Sequence, residues 1–277
     1  MTEKIKDGLH TEWYDNGHKK EEGTYKDGKK DGLWTGWYEN GQKRSEWIYK
    51  DGEGDGLITD WYENGQKKSE VTLKDGKEDG LITDWYENGQ KRKGVTFKDG
   101  RKDGLWTYWY KSGQKSEERN YKDGELDGLF TKWYKSGEKK SEGTYKDGEE
   151  DGLWTSWNEN GQKKTEETWK DGNRDGLEIH WYENEQKKSE GTLKDGEYVG
   201  LITEWYENGQ KSYEGTIFDV QSIHFAEWYE NGQKKSEGTF KDEKFVSKKE
   251  WNEDGSVKED EHPSDEHPSN EHPSDKE

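Results

Sequence analysis

Apolar positions in this chain come in short bursts that never recur on a helical period. In residues 33–56, Leu33-Trp34-Thr35-Gly36-Trp37-Tyr38 is aromatic and β-branched, which predicts a strand. Glu39-Asn40-Gly41-Gln42 follows, and Asn-Gly is a strong hairpin signal because a type I′ turn needs positive φ at both central residues. Lys43-Arg44-Ser45-Glu46-Trp47-Ile48-Tyr49 reads as the returning strand. Lys50 to Gly56, with three glycines and two aspartates, reads as a second turn.

A two-residue Asn40-Gly41 turn sets Tyr38 opposite Lys43, Trp37 opposite Arg44, Thr35 opposite Glu46 and Leu33 opposite Ile48. Directly opposed residues share a face. One face then holds Leu33, Thr35, Trp37, Arg44 and Glu46, and the other Trp34, Tyr38, Ser45, Trp47 and Tyr49. Both carry aromatics, so which face is better buried stays open. A bulge in the Lys50–Gly56 turn would re-sort them.

The same phrase returns along the chain. Trp13, Trp37, Trp61, Trp85, Trp109, Trp133, Trp157, Trp181 and Trp205 are each 24 residues apart, and Trp228 and Trp251 follow at intervals of 23. A fixed period of this length marks a repeat array. The fold expected is all-β: tandem hairpins stacked into an elongated, twisted antiparallel ribbon of about ten repeats over 1–255. At ~4.8 Å per strand, some twenty strands span roughly 100 Å. The pattern falters at Asn184-Glu185, where Gly is lost, at Tyr198-Val199-Gly200, where Asp is lost, and at 217–227, one residue short and without the second turn. Residues 256–277 carry three Glu-His-Pro-Ser units and all three prolines, and this acidic tail reads as disordered.

Composition sharpens the picture. Only 24% of residues are hydrophobic and 40% are charged, yet 16 Trp, 16 Tyr and 6 Phe sit at periodic positions, so a thin folded structure rests on few large rings. No cysteine is present, which excludes disulfides and thiolate chemistry. The first residues lack a signal-like apolar segment and no apolar run reaches membrane-spanning length, so a cytoplasmic location is expected. A net charge of −20 disfavours nucleic acid and favours basic partners.

Catalytic, cofactor and metal signals are not found. His10, His18, His180 and His224 occupy unrelated repeat positions, and every frequent acid belongs to the repeated phrase, whereas catalysis needs one unique constellation. No enzyme activity, cofactor or metal is expected; the Lys-Asp-Gly-x-x-Asp-Gly aspartates read as turn formers. Two surface readings remain. The aromatic pairs Trp37-Tyr38, Trp61-Tyr62, Trp85-Tyr86, Trp109-Tyr110 and Trp133-Tyr134 form a strip for a protein partner, or the packing of the sheet itself. The doublets Lys43-Arg44, Lys67-Lys68 and Lys91-Arg92 form basic stripes for an anionic membrane surface, or pair with Glu46, Glu70 and their equivalents and with the Trp rings.

The segments W-Y-E-N-G-Q-K-K-S-E and Y-K-D-G-K-x-D-G-L resemble the MORN-repeat variant of bacterial proteins, in particular the YwqK-type antitoxins, over residues 7–255. The resemblance implies a hairpin per repeat, no catalysis, association with a protein and, for the antitoxins, neutralisation of a toxin. It also implies scaffolding or lipid association, as for MORN repeats elsewhere. Exposed edge strands allow self-association as well.

Overall fold

The computed structural model of the protein describes residues 6–219, 222–242 and 244–258. The expected tail over 256–277 falls outside these from residue 259 onward. Ser256–Lys258 still belong to the array, because Trp251 and Val257 form an antiparallel bridge. The chain divides into two compact units, Met1–Val199 and Gly200–Glu277.

In the first unit every described element is a β-strand or a turn, and strands pair antiparallel with their sequence neighbours. The strand Gly8–Trp13 pairs with Lys19–Lys26, which pairs with Lys29–Trp37, which pairs with Lys43–Lys50. Among the described strands of this unit, Gly8–Trp13 pairs with Lys19–Lys26 alone.

The two-residue geometry expected at Asn40-Gly41 is found in the second turn instead. Asp51 and Gly52 carry φ of 52° and 89°, so the two-residue type I′ hairpin is Asp-Gly, closed by the pair Lys50–Glu53. Asp tolerates this left-handed conformation better than most residues with a side chain. The Gly52 amide also donates to the Lys30 carbonyl at 2.9 Å, and the same bond recurs at Gly100, Gly124, Gly148, Gly172 and Gly196, so these turns lean on the repeat before. At Asn40-Gly41 only the glycine has positive φ (81°). The Gly41 amide donates to the Tyr38 carbonyl and the Tyr38 amide to the Gln42 carbonyl, both at 2.9 Å. This is a three-residue loop, a type I turn followed by a left-handed residue. It delivers one extra residue to the return strand, and the register slips between Gly36 and Trp37.

Leu33–Ile48 and Thr35–Glu46 pair as expected, but Trp37 faces Lys43, not Arg44, and Tyr38 lies in the loop. Arg44 is thereby moved to the opposite face. A second irregularity lies at the Asp-Gly that precedes each leucine. Tyr25–Lys30 and Thr24–Asp31 share one register, while Glu22–Thr35 and Glu21–Gly36 share another two residues on.

The core lies on the face of Trp34. Trp34, Ile58, Ile82, Trp106 and Phe130 occupy one repeat position and are 2–8% exposed. They pack with side chains such as Val95 and Tyr121 from the return strands. Size is balanced across the row: a Cβ on Gly23 would lie 2.1 Å from the Trp34 ring, and one on Gly143 equally close to Trp154. Ile82, the smaller occupant of the position, lies in a cluster with Val71 and Val95 instead.

In the second unit, residues 213–217 pair one-to-one with 223–227. The strands on either side of the stretch that loses the Asp-Gly motif therefore lack the two-residue irregularity, and their register shifts only between Ile217 and Asp219. Phe225, Phe240 and Phe245 pack there, with Phe245 5.2 Å from Phe240 and 6.0 Å from Phe225. Among the described residues no helix is long and apolar enough to cross a membrane.

Candidate functional site

The repeated tryptophans and the first lysine of each doublet build one face together. Lys43 forms an ion pair with Glu46 and Lys67 with Glu70, while their ammonium groups stand 5.6 and 5.7 Å from the ring centres of Trp61 and Trp85 in the following repeats. Lys91 stands 5.7 Å from Trp109, and Gly94 occupies the position of the glutamate in that repeat. Beneath them Thr107 and Thr131 donate to Glu118 and Glu142 at 3.2 and 3.4 Å. The Lys19 ammonium, bonded to Glu22 at 2.5 Å, holds that carboxyl below the usual carboxylate range. The glutamate lies three residues from the first base, because the bulge at Arg44 brings Lys43 onto its face.

The tyrosines join repeat to repeat. Tyr38, Tyr62, Tyr86, Tyr110 and Tyr134 donate their hydroxyls to the carbonyls of Trp61, Trp85, Trp109, Trp133 and Trp157 at 2.7–2.8 Å. The loop asparagine does two tasks. Asn40 accepts from the Gln42 amide at 2.9 Å, bracing its own loop, and donates to the Glu63 carbonyl of the next loop at 3.0 Å. Both polar ends of the Tyr-Asn pattern are thus spent inside the array, and the hairpin register alone gave no sign of this.

Beyond these rows lies a surface that the fold does not use. Leu9, Leu33, Leu57, Leu81, Leu105, Leu129, Leu153 and Leu177 are 46–73% exposed. They recur every second long strand, roughly 9–10 Å apart. Their cross-strand partners are Thr24, Ile48, Thr72, Thr96, Asn120, Thr144, Thr168 and Thr192. Lys50 and its equivalents stand two residues from these partners, on the same face and exposed. Scattered exposed leucines need no explanation, but a continuous row is a different matter. The constant leucine was legible as a residue. Its exposure was not, because both faces carry apolar side chains.

The opposite face carries Arg44, Lys68 and Arg92. Arg92 bonds Asp84 at 2.5 Å, which raises its affinity for the proton, and Lys68 stands 5.9 Å from the Tyr62 ring centre. Two clefts open here at equivalent places. One of about 410 Å³ is walled by Trp34, Tyr38, Trp47, Tyr49 and Trp61, with Arg44 and Lys68 among its charged groups. The other, of about 500 Å³, includes Tyr108, Tyr110, Trp133 and Lys140.

Glu178 stands where other repeats bury Trp, Ile or Phe, and is itself 3% exposed. Its carboxylate and the donor atoms of Glu167 and His180 lie within 4.8 Å of one another, which is metal-ligand proximity. Internal partners already answer the charge: Arg174 reaches Glu178 at 2.9 Å and Glu167 at 3.7 Å, and the Tyr198 hydroxyl donates to Glu178. The arrangement reads as a hydrogen-bonded polar plug in the core row. The sequence signal was available, as an acid at an otherwise apolar repeat position.

The family profile described as MORN repeat variant matches residues 6–27, 30–51, 54–75, 102–123, 126–147, 150–171, 174–195 and 224–242, well over half of the chain. No curated protein matches the chain in sequence. Among solved structures, similarity is found to the "Crystal Structure of TcdB2-TccC3" at 9% identity and a TM-score of 0.21, over 87% of this chain and 15% of that one. "Crystal Structure of TcdB2-TccC3-Cdc42" is similar at 8% identity and a TM-score of 0.19, over 86% of this chain and 17% of that one. The chain thus spans under a fifth of the length of the solved chains it matches.

Proposed function

The chain belongs to the MORN repeat variant family, and from that premise we propose that it is a non-catalytic scaffold binding a protein partner along its array. The finer form of the reading is an antitoxin-like role in the cytoplasm, in which the bound protein is a basic toxin neutralised by contact; the net charge of −20 suits such a partner. The observation that carries the proposal is the exposed leucine row, a repeated apolar strip that contributes nothing to the core and offers a partner several equivalent contacts. The Trp-Tyr strip enters as the support behind it, since its hydroxyls and rings are engaged within the array.

The test is affinity capture from native lysate with the intact chain and with a Leu81→Asp/Leu105→Asp/Leu129→Asp variant. A stoichiometric partner held by the first and lost by the second is the expected result. Equal capture by both, or none by either, would remove the reading. Flotation with anionic vesicles separates the lipid alternative, in which salt-sensitive binding would depend on the doublets Lys43-Arg44, Lys67-Lys68 and Lys91-Arg92. Lys43 and Lys67 already neutralise glutamates, which leaves that alternative the weaker one.

A further inference from the structure

The cleft beside Gly36 combines an arginine at the second base of the doublet with the loss of the acid that partners Arg92. In three other repeats the second base of the doublet has a carboxylate partner eight residues before it. Lys20 reaches Glu12 at 3.3 Å, Arg92 reaches Asp84 at 2.5 Å, and Lys235 reaches Glu227 at 3.7 Å. Gly36 occupies that position in the second repeat, so the acid is missing, as it is where Tyr108, Lys132, Ser156 and His180 stand, but only here is the second base an arginine. Arg44 nevertheless lies over the gap, its Nη2 3.0 Å from where a Cβ on Gly36 would stand, and no carboxylate among the described residues pairs with it. Beside the gap stands Trp47, where the same repeat position elsewhere carries Gly, Val, Arg119 or Glu167 and no other aromatic residue. Its ring stacks on Tyr49 at 6.0 Å and 18°, and Tyr49 meets Trp34 edge-on at 6.4 Å. Two features therefore meet at one cleft of about 410 Å³, a guanidinium without its acid and an added aromatic wall; Glu21 and Asp60 also line it, Glu21 paired with Lys30 at 3.0 Å and Asp60 accepting from Ser69 at 3.1 Å.

We propose that this cleft binds a carboxylate carried on an aromatic or aliphatic body, the carboxylate taking the place that Asp84 fills for Arg92. A guanidinium forms paired, charge-assisted hydrogen bonds with a carboxylate, and the ring wall covers the apolar body. The carboxylate has two sources, a peptide C-terminus or an acidic side chain. The site lies on the face opposite the leucine row and does not depend on it.

The probe is N-acetylphenylalanine, titrated into the full chain by calorimetry and followed at the indole N–H signals. The expected result is saturable binding that shifts Trp47, with the corresponding amide at least about tenfold weaker. Gly36→Asp supplies the missing acid from within and should abolish binding while melting is retained. Arg44→Gln, a change at an exposed side chain, should weaken binding by about tenfold or more. Acetyl-Glu-Phe-amide, whose only carboxylate is on a side chain, identifies the second source if it binds more tightly than N-acetylphenylalanine. Absence of binding by both acids, equal binding of acid and amide, or unchanged binding by Arg44→Gln would overturn the proposal.

Discussion

Replacing Gly23 with alanine perturbs the core by one methyl group. The added carbon would fall 2.1–2.4 Å from three atoms of the Trp34 indole, against the roughly 3.5–4.0 Å of a normal carbon contact. The ring must therefore retreat by about 1.5 Å, but it is held by Tyr25 at 4.9 Å, Lys30 at 3.7 Å and a 3.1 Å bond from its Nε1 to the Thr24 carbonyl. Overpacking of this kind costs about 1–3 kcal/mol, and loss of the indole bond adds about 1 kcal/mol. The stiffer unfolded chain returns about 0.5 kcal/mol, since Gly23 has no positive φ to forbid alanine. The net expectation is a loss of about 1.5–3.5 kcal/mol, with about 5 as the ceiling if the ring is expelled. Urea denaturation followed by circular dichroism measures it, with hydrogen exchange of the Trp34 indole as the local reporter. Adding Trp34→Ile, the pairing of sizes found at Val71 and Ile82, should recover most of the loss. An unchanged midpoint with full indole protection in Gly23→Ala would refute the packing argument.

Other consequences follow from the same contacts. Tyr86→Phe removes the hydroxyl bonded to the Trp109 carbonyl and should cost about 0.5–1.5 kcal/mol, seen as faster amide exchange in the loops on either side of that joint. Burial, then the nearby Glu150 carboxylate, pushes the Tyr145 hydroxyl up to about 12 from its ordinary 10.0. A raised folded value means that its stabilisation is complete below pH 10 and is lost as pH rises from about 10 to about 12. Alkaline melting curves compared with Tyr145→Phe, alongside tyrosinate absorbance, check this, and a variant with the same alkaline decline as the parent would contradict it. Leu105→Asp/Leu129→Asp should change the unfolding free energy by no more than about 1 kcal/mol in urea denaturation, because both leucines are already half exposed.

Much of the fold was legible because the repeated phrase contains its own turn chemistry. The 24-residue period, the hairpin per repeat and the pairs Leu33–Ile48 and Thr35–Glu46 follow directly from it. What misled was the assumption that Asn-Gly takes the two-residue turn. Asp-Gly has equal claim to it, and only the closing pairs distinguish them: Lys50 with Glu53 at one end, Tyr38 with Gln42 at the other. That one-residue difference moved Arg44 across the sheet and gave Lys43 to Glu46 and Trp61. The surface was harder to read. Tyr38 and Asn40 bond to residues one repeat later, and a hairpin considered alone does not display such contacts. The leucine row stayed hidden for a related reason: Trp34 and Leu33 are neighbours of similar apolarity, and burial of one or the other is decided by how successive hairpins stack.

The most direct measurement is site-specific photo-cross-linking in the native cells, with a benzoylphenylalanine placed at Leu105 in one chain and at Lys140 on the opposite face in another. If the leucine row is the contact surface, position 105 yields a discrete adduct with one protein and position 140 does not. An adduct from position 140 alone, or no protein adduct from either, would contradict the account.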